Sequence, residues 1–141
     1  MPTKGFDFYS PTAGVASISN DILGTASRSP IPLVVGTNRD ENKLFLIENK
    51  RLTRSIFGLP FIKDINYYNA VSKHRSNTWK LLAVDQPARD LANLNKKSIY
   101  AYRFDWDEEP KKYGIDLSNL LGAAHAFEIP FVMGDFEMET L

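Results

Sequence analysis

The segment that decides the fold of this chain is Ile31-Pro32-Leu33-Val34-Val35-Gly36-Thr37-Asn38-Arg39-Asp40-Glu41. Its first five residues form a short apolar run that stops at Gly36. Such a run is typical of a parallel strand that is buried on both faces. Pro32 suits the start of this strand, where a missing amide donor is tolerated. The segment therefore predicts a buried parallel strand over about residues 31–35.

The polar residues after this strand predict a helix start. Thr37 or Asn38 can cap a helix that continues to about residue 50, with Asp40 and Glu41 in its first turn. Open α/β sheets place their functional loops just past the carboxyl ends of the strands, where Glu41 lies. Glu41 is therefore a candidate functional acid, and ordinary first-turn charge is the alternative.

Two longer helices and one further clear strand follow. Apolar spacing predicts a helix over residues 64–82. Its expected buried stripe consists of Ile65, Tyr68, Val71, Trp79 and Leu82. Asp85 and Pro87 are typical of the start of another helix, which runs to about residue 94. Residues 98–104 are rich in aromatic and β-branched side chains and predict a strand, and residues 129–133 indicate a weaker third strand.

This order of elements predicts an α/β fold with two or three parallel strands and flanking helices. Residues 1–30 lack a sustained period, and Gly58 and Pro60 break residues 51–64, so we expect irregular structure in both segments. Sheets usually contain about 4–6 strands, and two alone are marginal in water. We therefore expect residues 1–141 to be a single partial domain, with residues 1–30 as an irregular lead-in and a sheet that something outside the chain completes.

A second informative segment is Gly122-Ala123-Ala124-His125-Ala126-Phe127-Glu128-Ile129-Pro130-Phe131. Small residues around His125 let a loop bring its imidazole close to other backbone, and histidine is the usual general base near neutral pH. A structural or solvated histidine is the alternative. Glu128 is either a supporting group for His125 or a helix-cap partner. His74 lies among polar residues of a predicted helix, and we interpret it as solvated.

Composition excludes several classes of function. Seventeen basic side chains balance seventeen acidic ones, which argues against nucleic acid or an anionic membrane as a partner. The chain has no cysteine and only two histidines, which rules out disulfides and thiolate metal sites and leaves little for a histidine-based one. No apolar run approaches the roughly 20 residues that span a bilayer. We expect no metal and no cofactor.

Two side-chain groups have ordinary interpretations. The aromatic residues near the second strand are predicted to pack in the core. They are Tyr100, Tyr102, Phe104 and Trp106. The acidic residues that follow lack the glycine turn and the spacing of a calcium loop, so they predict a solvated acidic loop. They are Asp105, Asp107, Glu108 and Glu109.

The two segments together resemble the type-B carboxylesterases, which are cholinesterase-like α/β-hydrolases. Residues 34–44 resemble the family's strand followed by Gly-Thr-Asn-x-Asp-Glu, in which the second acidic residue, here Glu41, is the acid of the catalytic triad. Residues 122–134 resemble its histidine loop, with His125 as the base. The resemblance covers about residues 31–136, and Asp40 and Glu128 are the expected supporting residues. Acid precedes histidine, as in α/β-hydrolases.

The resemblance implies the C-terminal part of an α/β-hydrolase fold. Its parent would hydrolyse small-molecule carboxylic esters through an acyl-serine intermediate. The nucleophile elbow Gly-x-Ser-x-Gly occurs nowhere in the 141 residues, so we expect this chain alone to be inactive. Two alternatives stay open: a non-catalytic binding module of the same family, and one half of a split esterase. An exposed sheet edge would favour self-association or a companion chain.

Overall fold

The computed structural model describes residues 32–95 and 98–134, and the expectation for residues 1–30 lies outside them. This part of the chain is a small mixed α/β domain with short parallel and antiparallel strands. Its elements in chain order are β1 (Leu33–Asn38), α1 (Lys43–Leu46), β2 (Thr53–Ile56), β3 (Leu59–Ile62), α2 (Ile65–Lys80), a π-helical stretch (Leu81–Asp85), α3 (Gln86–Asn95), β4 (Ile99–Phe104), β5 (Lys111–Lys112), β6 (Ile115–Asp116), α4 (Leu117–Leu120) and α5 (Ile129–Met133).

The two predicted strands form a parallel pair. β1 and β4 are in register from Leu33 opposite Ile99 to Asn38 opposite Phe104. The strand β1 thus continues past Gly36, because Thr37 and Asn38 still pair with β4. As a result, the two acidic residues that follow lie in a turn before α1, and the prediction that they occupy the first turn of a helix is wrong.

The parallel pair is more exposed than the sequence predicts. Val34 is 63% exposed and Tyr100 is 60% exposed, so burial on both faces is wrong for these strands. Tyr102 is also exposed, whereas Phe104 packs its ring 5.1 Å from that of Phe131. The predicted packing of the aromatic residues is therefore found at Phe104, the last residue of β4, and not at Tyr100 or Tyr102.

The predicted third strand is a helix. Residues 129–133 form α5, with Pro130 in its first turn and Gly134 just past its end at φ 69°. Proline near a helix start and glycine in the left-handed conformation after its end are both typical of short helices. The parallel sheet therefore has two strands within the described residues.

Residues 53–62 form an antiparallel hairpin, although we expected irregular structure. Phe57 and Gly58 connect β2 to β3 with φ values of 50° and 83°. Positive φ at both central residues gives the turn whose twist matches that of the flanking strands. Pro60 is accepted in β3 because a two-stranded hairpin leaves its other edge unpaired.

Asp64 is the N-cap of the helix α2, and its side chain accepts a hydrogen bond from the backbone N–H of Tyr67 at 3.0 Å. Its buried residues are Tyr68, Ser72 and Ser76, which lie four positions apart on one face. The predicted stripe is therefore only partly correct, since Leu82 is 66% exposed. Two serines in the buried face explain why apolar spacing did not identify it.

The helix predicted from Asp85 to about residue 94 is confirmed as α3 (Gln86–Asn95), but the separate start that was predicted for it is wrong. The backbone continues from α2 through the π-helical stretch into α3, and the Gln86 N–H donates to the carbonyl of Leu81. Pro87 has no N–H for the carbonyl four residues earlier, so a local change from α-helical hydrogen bonding is expected here. Lys80 and Asp85 form an ion pair across the stretch.

The acidic loop is less solvated than predicted. Asp105 pairs with Arg103, and Asp107 pairs with Arg39 at 2.5 Å. Both carboxylate oxygens of Glu109 are shielded from solvent, and this burial raises the pKa of Glu109. The loop is therefore held to the domain by ion pairs on one side and by burial on the other.

The hydrophobic core lies between α1, α2, the hairpin and α4. Its buried members are Leu46, Leu52, Tyr68, Ile115 and Leu120. The Tyr68 hydroxyl lies 2.8 Å from the carbonyl oxygen of Leu120 and 3.1 Å from that of Lys43. Its single O–H is shared between these two acceptors. One side chain thus ties α1 to the segment that leads into the histidine loop. None of the described helices is long and apolar enough to cross a bilayer.

Candidate active site

Glu41 lies in the turn between β1 and α1, and its side chain is only 6% exposed. Its Oε1 accepts hydrogen bonds from the backbone N–H of Asn38 at 2.8 Å and from the Thr37 hydroxyl at 3.1 Å. Both donors belong to the last two residues of β1, so the strand fixes the carboxylate. Glu41 is therefore buried, satisfied and held in one orientation.

The second oxygen of this carboxylate holds the histidine. The Nδ1–H of His125 donates to Oε2 of Glu41 at 2.7 Å. The His125 side chain is 43% exposed, so its ring has one side toward the buried acid and another toward solvent. The structure thus brings together the two residues that the sequence singled out, 84 positions apart.

The residue before the acid anchors the histidine loop through backbone and side chain. The Asp40 N–H donates to the Ala123 carbonyl at 3.0 Å, and the Ala123 N–H donates back to Asp40 Oδ2 at 3.3 Å. The same carboxylate pairs with Arg39 at 2.8 Å. Asp40 therefore holds the histidine loop and, within the described residues, makes no hydrogen bond to the imidazole.

A second anchor joins the end of β1 to the far side of the histidine loop. The amide Nδ2 of Asn38 donates to the Ala124 carbonyl at 2.6 Å and also to a carboxylate oxygen of Glu128. Glu128 precedes α5 and makes no side-chain cap to that helix, which removes the helix-cap interpretation. It contacts Asn38 instead and helps to fix the loop around His125.

Two aromatic rings flank the imidazole. The ring centroid of His125 lies 5.6 Å from that of Phe45 and 5.5 Å from that of Trp79. These two rings also stack on each other, with centroids 6.2 Å apart and an interplanar angle of 16°. Both rings pack close to the imidazole and limit the orientations that it can adopt.

The backbone of the histidine loop adopts the left-handed conformation close to His125 on both sides, at Gly122 and Ala126. Gly122 has φ 53°, and a side chain there would place its Cβ 2.4 Å from Asp40 Oδ2. Ala126 has φ 71°, which is uncommon for a residue with a Cβ. The loop therefore bends sharply on both sides of His125, which brings its ring back over the end of β1.

Sequence reasoning missed several residues of this site. Thr37 and Asn38 were expected to cap a helix, and Trp79 was assigned to a buried stripe. Thr37 and Asn38 could have been identified from the sequence, because polar residues just before a candidate acid can donate hydrogen bonds to its carboxylate. Phe45 gave no such signal, because its contact with His125 depends on how α1 and α2 pack. His74 is exposed on α2, as predicted.

This arrangement has the chemistry of an acid–base pair. A carboxylate that accepts from Nδ1 selects the imidazole tautomer whose Nε2 can take a proton from a hydroxyl or give one to a leaving group. Within residues 32–95 and 98–134, no cluster of histidine, aspartate and glutamate is suited to holding a metal ion. In the described part of the chain the pair is thus the group with the clearest capacity for proton transfer.

Comparisons with protein-family models, with curated proteins and with solved structures found no match to this chain. The assignment of a function therefore depends on the geometry of Glu41 and His125 and on the motifs around them.

Proposed function

We propose that this chain is the C-terminal part of a serine carboxylesterase of the α/β-hydrolase fold and that it supplies the acid and the base of the catalytic triad. The observation that carries the proposal is the 2.7 Å hydrogen bond from His125 Nδ1 to the buried carboxylate of Glu41. The order of the two motifs and the position of Glu41 after a parallel strand support the same interpretation.

In this mechanism the two residues act on a serine that comes from another part of the parent protein. As the serine oxygen attacks the ester carbonyl, Nε2 of His125 takes its proton, and Glu41 stabilises the resulting imidazolium. The tetrahedral intermediate collapses when Nε2 returns the proton to the leaving alcohol. Water then attacks the acyl-serine, His125 takes a proton from that water, and the serine recovers it as the acid product leaves.

The chain by itself has no serine elbow, so the proposal predicts that it is inactive alone. In a characterised triad enzyme, loss of the serine lowers turnover by about a millionfold. The exposed Val34 and Tyr100 of the parallel pair support a companion segment that covers these strands. If none is present, the same surface favours self-association of the chain.

The test is reconstitution. The chain is co-expressed with the polypeptide that is encoded directly upstream and carries Gly-x-Ser-x-Gly, and hydrolysis of p-nitrophenyl acetate is measured. We expect activity only from the complex. His125→Ala should abolish it, Glu41→Gln should lower it by about ten thousandfold, and the exposed control Glu48→Gln should leave it unchanged.

Two results would reject the esterase proposal. One is the lack of any encoded serine elbow in the adjoining sequence. The other is a stable complex without activity, which would favour the non-catalytic binding module instead. Activity of the isolated chain that depends on His125 would contradict its predicted inactivity.

The hydrogen bond itself has a separate test. We expect ¹⁵N NMR of the imidazole to report the tautomer with the proton on Nδ1, and Glu41→Gln to lose this preference. The exposed His74 is an internal control, since its signals should not change. A wild-type His125 with its proton on Nε2 would remove the geometric basis of the proposal.

A further inference from the structure

A polar cleft with a volume of about 490 Å³ lies beside the candidate active site, between the start of α1, the middle of α2 and the start of α4. Four cationic side chains and two carboxylates line it, together with amides and a hydroxyl. The cationic residues are Arg39, Lys43, Lys73 and Arg103, and the carboxylates are Asp40 and Asp107. Cationic groups therefore outnumber carboxylates in the lining.

The two arginines are already paired. Arg39 contacts Asp40 at 2.8 Å and Asp107 at 2.5 Å. Arg103 donates from two guanidinium nitrogens to Asp105, each at 2.6 Å. These pairs neutralise the guanidinium groups and most of the surrounding carboxylate charge. The positive charge that is left for a ligand comes from the two lysines.

Lys43 is the unusual member of the pair of lysines. Its side chain is only 8% exposed, and its one ion pair within residues 32–95 and 98–134 is a 3.9 Å contact from Nζ to Oδ1 of Asp40. That distance is too long for a hydrogen bond. Burial lowers the pKa of Lys43, because the ammonium has lost water without gaining a close partner. A buried ammonium at the wall of a cleft is incompletely satisfied by the protein.

The amide side of the cleft is incompletely satisfied as well. Oδ1 of Asn69 is buried and has no hydrogen-bond partner among the described residues. Asn77, Ser118 and Asn119 add further groups that can donate. The buried oxygen of Asn69 is an acceptor and is shielded from solvent, so this residue can offer an anion in the cleft only the N–H groups of its amide. The cleft thus combines one ammonium that lacks a close partner, Lys43, with several neutral donors.

We propose that this cleft binds a small phosphoryl anion through Lys43 and Lys73, with the asparagine amides and Ser118 as neutral donors. A phosphoryl group offers three acceptor oxygens to these donors, and the two ammonium groups attract its negative charge. The two arginines offset two of the three neighbouring aspartates, so the surroundings of the two lysines keep a net positive charge. The proposal does not depend on esterase activity, because it uses none of the atoms of the His125–Glu41 hydrogen bond.

The experiment uses the full chain and inorganic phosphate, with sodium chloride added to keep the ionic strength constant. Calorimetry gives the affinity, and ¹H–¹⁵N NMR locates the perturbed amides. We expect shifts at Asn69, Asn77 and Asn119. Lys43→Met should weaken binding by at least about tenfold and Lys73→Met by severalfold, as expected for loss of a charge-assisted hydrogen bond. Lys50→Met, an exposed lysine outside the cleft, should bind as the wild type does.

Binding measurements with two further compounds, glycerol phosphate and acetate, define the chemical class of the ligand. Glycerol phosphate binding more tightly than inorganic phosphate would indicate a phosphomonoester, and the reverse order would indicate free phosphate. Acetate should bind at least about tenfold more weakly than either. Equal binding of acetate, no binding of phosphate beyond that of chloride, or unchanged affinity in both Lys43→Met and Lys73→Met would overturn the proposal. If Lys43→Met fails to fold, Lys73→Met alone decides.

Discussion

The core around Tyr68 and the parallel pair β1–β4 differ in how completely this chain covers them. Leu46 and Tyr68 are both 0% exposed, whereas Val34 and Tyr100 are more than half exposed. Both regions contact the candidate active site: β1 ends in the residues that bind Glu41, and the core leads through Leu120 into the histidine loop. One side of the site is therefore supported by a buried core. The other side is supported by a two-stranded sheet whose side chains are largely exposed.

This difference shows why an acid–base pair can form in a chain with so little sheet. The hydrogen bonds from Thr37 and Asn38 to Glu41 need only the last two residues of β1, which are buried. Asp40, in the turn that follows β1, donates its N–H to the histidine loop. The exposed first residues of β1 and most of β4 take no part in them. We therefore expect the geometry of the site to be lost when the core around Tyr68 is destabilised. It should not depend on whether the exposed part of the sheet is covered.

The largest expected effect separates the two regions directly. Leu46→Ala removes a fully buried side chain and should lower the free energy of unfolding by about 2–5 kcal/mol. Val34→Ala, on the exposed strand, should change it by no more than about 0.5 kcal/mol. Urea unfolding followed by circular dichroism measures both. Equal losses would mean that the sheet face is covered in solution.

A second comparison uses glycines. Gly122→Ala forces a side chain into the left-handed conformation and against Asp40, and it should cost about 1–3 kcal/mol or more. Gly36→Ala would place Cβ 2.1 Å from the ring of Tyr102, but that ring is the far end of an exposed side chain and can rotate away. We expect a loss below about 1 kcal/mol there. Thermal melts of the two variants should rank in this order.

Tyr68→Phe tests whether the core positions the histidine loop. The variant keeps the packing of the ring but leaves the Lys43 and Leu120 carbonyls without their donor, at an expected cost of about 1–2 kcal/mol. We also expect amide shifts in residues 121–125 by NMR. A loss of stability with no change in those amides would show that the loop does not depend on this contact.

The smallest expected effect concerns Glu109, in the connection between β4 and β5. Burial raises its pKa in the folded state, so the folded protein holds this proton more tightly than the unfolded chain does. Stability is thus lost as pH rises from the ordinary glutamate pKa of 4.5 through the higher pKa of the folded state. Glu109→Gln should raise the melting temperature slightly at pH 7 and have no such benefit at pH 3. A benefit that is the same at both pH values would contradict this explanation.

Local sequence patterns predicted the elements that have strong signals of their own. The apolar run before Gly36 and the aromatic residues 98–104 identified the parallel pair. The hairpin was missed because Gly58 and Pro60 were interpreted as breakers, although positive φ at two neighbouring residues is what a tight hairpin requires. Residues 129–133 were predicted as a strand because they are mostly apolar, whereas Pro130 and Gly134 are the residues that favour a short helix there.

The sequence pointed to Glu41, His125, Asp40 and Glu128, but not to the contacts that the last two residues of β1 and the two aromatic rings make with them. Glu41 and His125 stand in segments with recognisable composition, so both were identified. The hydrogen bond from Asn38 to the histidine loop joins residues 86 positions apart, and no local pattern encodes such a contact. The prediction that the parallel strands are buried on both faces was wrong. Apolar composition shows that a strand can be buried, but its actual exposure depends on which other elements pack against it.

The separation of 84 positions between Glu41 and His125 has a kinetic consequence. Contacts between distant residues carry a loop-closure cost that short-range contacts do not, so they form late unless intervening structure brings the ends together. Here α1 and α4 bring the two ends together by packing on Tyr68 of α2. The Glu41–His125 bond should therefore form only after this core has assembled, and the imidazole proton on Nδ1 is a reporter of whether the core has folded.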